Sequence, residues 1–232
     1  MTAWYAFWYR FYSLLFRLLF RLRVEGRAHV PPSGPLLVVS NHVSAVDPPI
    51  AGVAVGRQVW YMAKEELLKT PLLGPYLRSL GVFPVRRGEA DRRSVRTALG
   101  VLQRGGALLM FPEGTRSPDG RLQPAEPGAA LLALRTGALV LPLAVIGTQQ
   151  VMPKGARFPR LRPVTVRIGP PIRASKVAGR LDRELLERWG QTFMAAIAAL
   201  LPPDQQPVPG ASAPRASAPE QAPEQAARPG AP

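Results

Sequence analysis

Residues 36–49 read Leu-Leu-Val-Val-Ser-Asn-His-Val-Ser-Ala-Val-Asp-Pro-Pro, and most of the fold argument starts there. The unbroken apolar run Leu36–Val39, closing at Ser40, has the pattern of a strand buried on both faces. Asn41 and His42 stand where that strand emerges. Asp47 followed by Pro48 reads as a helix start: a side-chain acceptor at the N-cap, then proline at N1, where a missing N–H costs nothing. The stretch is therefore a strand, a tight loop and a helix, with a histidine five residues before an aspartate. A carboxylate on one ring nitrogen would fix the imidazole tautomer and raise the basicity of the other nitrogen, the arrangement used to deprotonate a hydroxyl. On spacing alone, the preferred reading is an Asp that only caps and a His that only fills a loop. His29, within Gly-Arg-Ala-His, reads as a surface or strand-edge residue.

Outward from this unit, short β-type runs alternate with helical patterns. Gln58–Met62, Val82–Val85, Ala107–Phe111, Leu139–Ile146 and Val164–Ile168 read as further strands. Ile50–Val55, Asp91–Gln103, Gly128–Arg135 (closed by Gly137) and Arg180–Leu201 read as helices. That alternation predicts an α/β fold with a mixed, mostly buried central sheet flanked by helices.

The two ends differ from the middle, giving three expected parts: 1–23, 24–201 and 202–232. Residues 1–23 hold nine of the 17 aromatic residues and four arginines without an acid. On a helix, Arg10, Ser13, Arg17 and Arg21 form one narrow stripe amid Trp, Tyr, Phe and Leu. The longest charge-free run is only Met1–Tyr9, far short of the roughly 20 apolar residues of a spanning helix. The expectation is an amphipathic helix lying in the membrane interface; the alternative is a helix packed on the domain or on a partner chain. Residues 202–232 carry nine of the 27 prolines and no aromatic, Leu or Ile, and read as a disordered tail.

The chain of 232 residues has no cysteine, two histidines and a net charge of +15. Those counts exclude a disulfide scaffold, a thiolate nucleophile and a sulfur-bound metal, and leave no multi-histidine metal site. The charge points to an anionic partner: nucleic acid, a phospholipid surface or a phosphorylated substrate. Because 26 of the 30 basic residues are Arg, coding bias is an alternative source of the excess.

Two further stretches stand at strand ends. In Leu-Leu-Met-Phe-Pro-Glu-Gly-Thr-Arg-Ser (108–117), Gly114 permits a sharp turn, and the Thr115 hydroxyl, backbone N–H groups and the Arg116 guanidinium supply donors suited to a phosphate. Glu113 could orient Arg116 or bind a ligand hydroxyl. In Gly-Val-Phe-Pro-Val-Arg-Arg-Gly (81–88), Arg86 and Arg87 end a strand, and Lys64 follows Gln58–Ala63. Strand ends of α/β sheets are where sites gather.

Four ordered blocks then carry a resemblance. Asn-His-Val-Ser-Ala-Val-Asp (41–47) is similar to the Asn-His-x-x-x-x-Asp box of the glycerolipid acyltransferase family, of the 1-acyl-sn-glycerol-3-phosphate acyltransferase type. The stretch ending at Arg87, the Phe-Pro-Glu-Gly-Thr-Arg-Ser segment and the Pro142-containing Val-Leu-Pro-Leu-Ala-Val (140–145) resemble its other three blocks, over roughly residues 24–175. The resemblance implies a glycerol-3-phosphate acyltransferase-like fold docked on the cytoplasmic face of the membrane. It implies His42 as general base, Asp47 as its orienter, and direct transfer from acyl-CoA or acyl carrier protein without a cofactor or metal. Glu113, Gly114, Thr115, Arg116 and Arg87, with Lys64 and Arg86, would bind the lysophosphatidate acceptor, and Pro142 would shape the acyl side. Arg86 departs from the family, many of whose members carry an acid there. Two other readings are kept: the same chemistry on another lysophospholipid or glycerol 3-phosphate, and a non-catalytic basic protein on membrane or nucleic acid. A serine hydrolase using Ser40 or Ser44 lacks its Gly-x-Ser-x-Gly elbow.

Overall fold

Strand β2 (Leu36–Ser40) is buried at every position and is central in the sheet. In a computed structural model describing residues 1–86, 91–153, 156 and 158–207, it lies parallel to β5 (Ala107–Met110) on one side and β6 (Leu139–Ile146) on the other. Beyond β5 follow β3 (Val59–Lys64) and β4 (Val82–Val85), both parallel. Beyond β6, β7 (Thr165–Ile168) runs antiparallel, and β1 (Arg23–Glu25) pairs parallel to β7 at the edge. β8 (Ile172–Arg173) pairs antiparallel with the first residues of β6. Among the described residues the result is an eight-stranded mixed sheet, with order β1-β7-β6-β2-β5-β3-β4 and β8 off that path.

Both faces are covered, which explains why β2 is apolar throughout rather than alternating. Leu37 and Val39 join the core under α5 (Arg92–Gln103), α6 (Gly128–Thr136) and α8 (Arg183–Ala198), against Leu102, Leu134 and Phe193. Leu36 and Val38 point the other way, to Ile50 of α2 (Asp47–Val55) and to Phe16 and Phe20 of α1 (Ala3–Phe20). Helix α6 ends as its sequence foretells, with Gly137 at φ 68 donating its N–H to Ala133. The Arg180–Leu201 helix is shorter than expected, because Asp182 caps it by accepting from the Leu185 N–H.

Several short elements escaped the sequence reading: β1, β8, α3 (Glu65–Lys69), α4 (Leu73–Ser79) and α7 (Thr148–Val151). Helices α3 and α4 are separated at Pro71–Leu72, where Leu72 adopts φ 64, ψ −53 and the Leu73 N–H bonds the Pro71 carbonyl at 2.7 Å. That is a γ-turn, an unusual conformation for a leucine. The packed chain also runs past Leu201. Gln205 is buried and its carbonyl accepts from the Leu122 N–H, and the Gln206 carbonyl accepts from Arg121, so the first residues of the expected tail, through Gln206, pack on the domain. The remainder of that tail, 208–232, lies outside the described residues. His29 is exposed at the end of a 3-10 turn after β1, its Nδ1 2.8 Å from the carbonyl of Ile168, the last residue of β7.

Helix α1 packs on the domain along one side and is exposed along the other. One side packs on the domain: Tyr5, Phe16 and Phe20 are buried, the Tyr5 hydroxyl meets Tyr61 at 3.1 Å, and Tyr12 meets Tyr76 of α4 at 2.6 Å. The other side leaves Trp4, Phe7, Phe11, Leu14 and Leu18 exposed, recurring every three or four residues. Leu67, Leu72 and Leu73 are exposed as well, on the α3–α4 segment whose Tyr76 ring also touches Trp8. Among the described residues no helix is long and apolar enough to cross a membrane. The two sides of α1 should separate in a stability assay. Phe20→Ala, which empties a buried site, is expected to cost about 3 kcal/mol in urea unfolding. Leu18→Ala, at a position 71% exposed, is expected to leave the midpoint unchanged.

Candidate active site

The site begins where β2 stops. Asn41 extends the strand with its side chain: its amide donates to the Val145 carbonyl at 3.0 Å and accepts the Val145 N–H at 2.8 Å. This buried pair replaces the next rung of the β2–β6 ladder and fixes how the chain leaves the sheet. His42 follows immediately, its ring stacked on Phe111 at a centroid distance of 4.1 Å.

His42 Nδ1 lies 2.9 Å from Asp47 Oδ2. A carboxylate can only accept, so Nδ1 carries the proton and Nε2 presents a lone pair. None of the described residues bonds to Nε2. Asp47 is fully buried, and the same Oδ2 accepts the N–H groups of Val43 and Ser44, each at 2.7 Å. The expected capping role is corrected: Asp47 is the first helical residue, the N-cap is Val46, and neither residue caps through its side chain. With prolines at 48 and 49, the second and third helical positions have no N–H for a cap to satisfy. The carboxylate therefore turns back and closes the loop.

The loop after β5 locks onto the same histidine. Glu113 Oε1 accepts the His42 N–H at 2.7 Å, Oε2 accepts the Gln123 N–H at 3.0 Å, and the Ser117 N–H bonds the His42 carbonyl at 2.8 Å. Gly114 sits at φ 68 and a Cβ there would meet Glu126, so the turn favours glycine. Glu113 is buried and spans two backbone segments, with no bond to Arg116, in contrast to the expected orienting role. Burial pushes its carboxyl up to about 8, against the pull of the two N–H donors, and the Asp47 carboxylate adds in the raising direction. Thr115 and Arg116 are exposed at the tip.

The other expected residues are spread along the sheet edge. Because β2, β5, β3 and β4 are adjacent and parallel, His42, Glu113–Arg116, Lys64 and Arg86 follow one another along its C-terminal edge. At about 4.8 Å per strand, the strand of Lys64 is about 10 Å from that of His42. Arg86 is ion-paired with Glu65 at 2.8 Å, and its N–H donates to Asp91. Arg87 lies outside the described residues. Pro142 is not beside the base. It is buried in β6, on the sheet face shared with Val140 and Ala144, whereas Asp47 opens α2 on the opposite face. Its carbonyl accepts from Gly169 at the point where β6 changes partner from β8 to β7. Proline is tolerated in this central strand because that break demands no N–H.

Asn41, Phe111 and the backbone-bridging role of Glu113 were not foreseen. The only signal for them was an Asn directly before the His at a strand end. The two candidate serines are occupied: Ser44 Oγ donates to the Met152 carbonyl, and Ser40 Oγ to the Asn41 carbonyl.

Residues 21–146 match the family model described as Acyltransferase. The chain belongs to the acyltransferase family. It is 34% identical to the chloroplastic 1-acyl-sn-glycerol-3-phosphate acyltransferase of Arabidopsis thaliana over 138 residues, covering 57% of this chain and 38% of that protein. It is 36% identical over 124 residues to a lyso-ornithine lipid O-acyltransferase of Pseudomonas aeruginosa, covering 53% of this chain and 46% of that one. The chain thus spans less than half the length of these two curated relatives. The crystal structure of a 1-acyl-sn-glycerophosphate acyltransferase from Thermotoga maritima superposes with a TM-score of 0.68 at 30% identity, covering 83% of this chain and 76% of that one. The chain therefore shares the sheet-and-helix architecture of that enzyme.

The buried Glu113 generates a pH test. Its folded value of about 8 is raised from the ordinary 4.5. Between those values the unfolded chain has lost a proton that the folded chain keeps, so stability falls as pH rises from about 5 to 8. Urea midpoints measured at pH 6 and pH 9 should therefore differ more in the wild type than in Glu113→Gln, whose side chain cannot ionise.

Proposed function

We propose that the chain transfers an acyl group from acyl-CoA or acyl carrier protein to the free hydroxyl of 1-acyl-sn-glycerol 3-phosphate, giving phosphatidic acid, at a membrane surface. The observation that carries this reading is the buried His42–Asp47 pair, with Nδ1 held at 2.9 Å and Nε2 left to take a proton. In the reaction, Nε2 removes the hydroxyl proton as the oxygen attacks the thioester carbonyl. Asp47 stabilises the imidazolium that forms. Collapse of the tetrahedral intermediate breaks the C–S bond, and the departing thiolate takes the proton back from His42. No acyl-enzyme is required: the chain has no cysteine, and Ser40 and Ser44 are bonded to carbonyls.

Thr115 and Arg116, exposed on a loop pinned to His42, would bind the acceptor phosphate, with Lys64 further along the edge and Arg87 as contributors. Arg86, already shared with Glu65, would contribute least. Because the acceptor is a membrane lipid, the site must meet a bilayer. The exposed stripe Trp4, Phe7, Phe11, Leu14 and Leu18, continued by Leu67, Leu72 and Leu73, supports a peripheral, interfacial attachment to the cytoplasmic face of the membrane. A leucine 89% exposed in a γ-turn has no folding reason to be apolar. A second reading keeps the chemistry but takes a lyso-ornithine lipid, as the name of the Pseudomonas aeruginosa relative suggests.

Acyl transfer by purified protein in phospholipid vesicles tests both. His42→Ala is expected to lower kcat by about 10²–10⁴-fold, the usual worth of a positioned general base, with an unchanged Tm. Undiminished activity in that variant would overturn the mechanism. In a panel of lysophosphatidate, glycerol 3-phosphate and lyso-ornithine lipid, lysophosphatidate should be acylated fastest, and Arg116→Gln should raise its KM most. Preference for the phosphate-free acceptor would instead favour the second reading.

A further inference from the structure

Between α1, β1 and the end of α2, well away from the His42–Asp47 pair in the sequence, lies a cavity of about 150 Å³ lined by Ser13, Arg17, Leu22, Val24, Arg27 and Val53. At about 30 Å³ per water, that is room for about five waters. Two guanidiniums meet there without an acid among the lining residues. The carboxylate nearest in sequence, Glu25, is paired instead with Arg167 at 3.1 Å. The Arg27 side chain is held in place: its Nη2 donates to the Tyr9 hydroxyl at 2.8 Å and to the Val53 carbonyl at 3.1 Å. Arg17 has no hydrogen-bond or ion-pair partner among the described residues. Ser13 Oγ is buried and likewise has none. Both arginines are exposed to solvent at this cavity, and with the buried, partnerless Ser13 hydroxyl beside them they offer an anion three donors in one small space.

We propose that this cavity binds a phosphate group, with Arg17 and Arg27 on its oxygens and Ser13 Oγ as a third donor. Arginine is suited to such a group because its planar fork can give two parallel bonds to phosphate oxygens. Placement on α1 indicates the source. Arg10, Ser13 and Arg17 form a stripe about a quarter of a turn round the helix from the exposed Trp4–Leu18 stripe, while Arg21 ends the helix as its left-handed C-cap. If the apolar stripe enters the bilayer, the cavity mouth lies at headgroup depth. The inference that the phosphate belongs to a lipid headgroup rests on the membrane attachment proposed above; the cavity chemistry itself does not.

The test compares Arg17→Gln and Ser13→Ala with Arg10→Gln, a residue of the same stripe that does not line the cavity. Affinity of the full chain is measured for vesicles of phosphatidylcholine with phosphatidylglycerol, and Tm is measured with inorganic phosphate against chloride at equal ionic strength. Loss of one positive charge near an anionic surface should weaken vesicle binding about fivefold in Arg10→Gln. Loss of a charge-assisted phosphate bond as well should weaken it about fiftyfold in Arg17→Gln, with a smaller specific loss in Ser13→Ala. That pattern supports a lipid phosphate. Equal losses in Arg10→Gln and Arg17→Gln, together with a phosphate-induced Tm rise that only Arg17→Gln abolishes, support a soluble phosphate in the same cavity. Equal losses with no Arg17-dependent rise overturn the site and leave the membrane reading standing. Failure of the wild type to bind vesicles overturns the membrane reading, and the phosphate arm alone then decides the cavity: an Arg17-dependent rise keeps it, none overturns it.

Discussion

One carboxylate oxygen holds the reacting end of this protein together. Asp47 Oδ2 gathers the His42 ring N–H and the Val43 and Ser44 backbone N–H groups within a six-residue span. Three donors on one buried acceptor close the loop between β2 and α2 and set the imidazole orientation in the same step. Burial makes the arrangement demanding, since a carboxylate taken fully from water needs donors to remain charged. Pro48 and Pro49 complete the logic from the other side. By removing N–H groups from the first turn of α2, they leave the aspartate nothing to cap.

Everything that surrounds the pair acts to keep that loop in one position. Asn41 pairs with Val145 as a surrogate strand residue, so β2 leaves the sheet at a fixed point. Glu113 and Ser117 hold the main chain of His42 from the β5 loop, one on its N–H and one on its carbonyl. The exposed Thr115 and Arg116 are thereby coupled to the base through two backbone bonds instead of a flexible loop. Burial and the nearby Asp47 carboxylate raise the Glu113 carboxyl against the pull of the two N–H groups it accepts.

Helix α1 divides its surface in three. Its aromatic inner side builds the second core with Ile50, Val38 and Leu143, its outer stripe is exposed, and its basic flank lies between them. The excess of positive charge thus acquires distinct addresses: the loop beside His42, the flank of α1 with its cavity, and a general surface field. Tyr12–Tyr76 and Trp8–Tyr76 contacts join α1 to α4, so the strained, exposed Leu72 belongs to the same side of the molecule.

The strand–loop–helix unit, the buried character of β2 and the amphipathic N-terminal helix were legible in the sequence, because each rests on neighbours a few residues apart or on a helical or strand period. Arg116 and Thr115 were legible as donors for the same reason. The His42–Asp47 pair was reached only through the family resemblance, since spacing alone favoured a capping aspartate. The short elements β1, β8, α3 and α4 were not legible, since three to seven residues carry too little periodicity to outweigh tertiary context. The place of Pro142 inside β6 was not legible, because it depends on a change of strand partner with residues some thirty positions away. Glu113 looked like a partner for Arg116 but serves two backbone N–H groups, a choice made by burial, which no local pattern encodes. The sequence by itself determined which chemistry was present at each strand end. Only the tertiary structure decided which strand ends are neighbours, because the parallel order β2-β5-β3-β4 is set by packing two apolar faces at once, not by any segment alone.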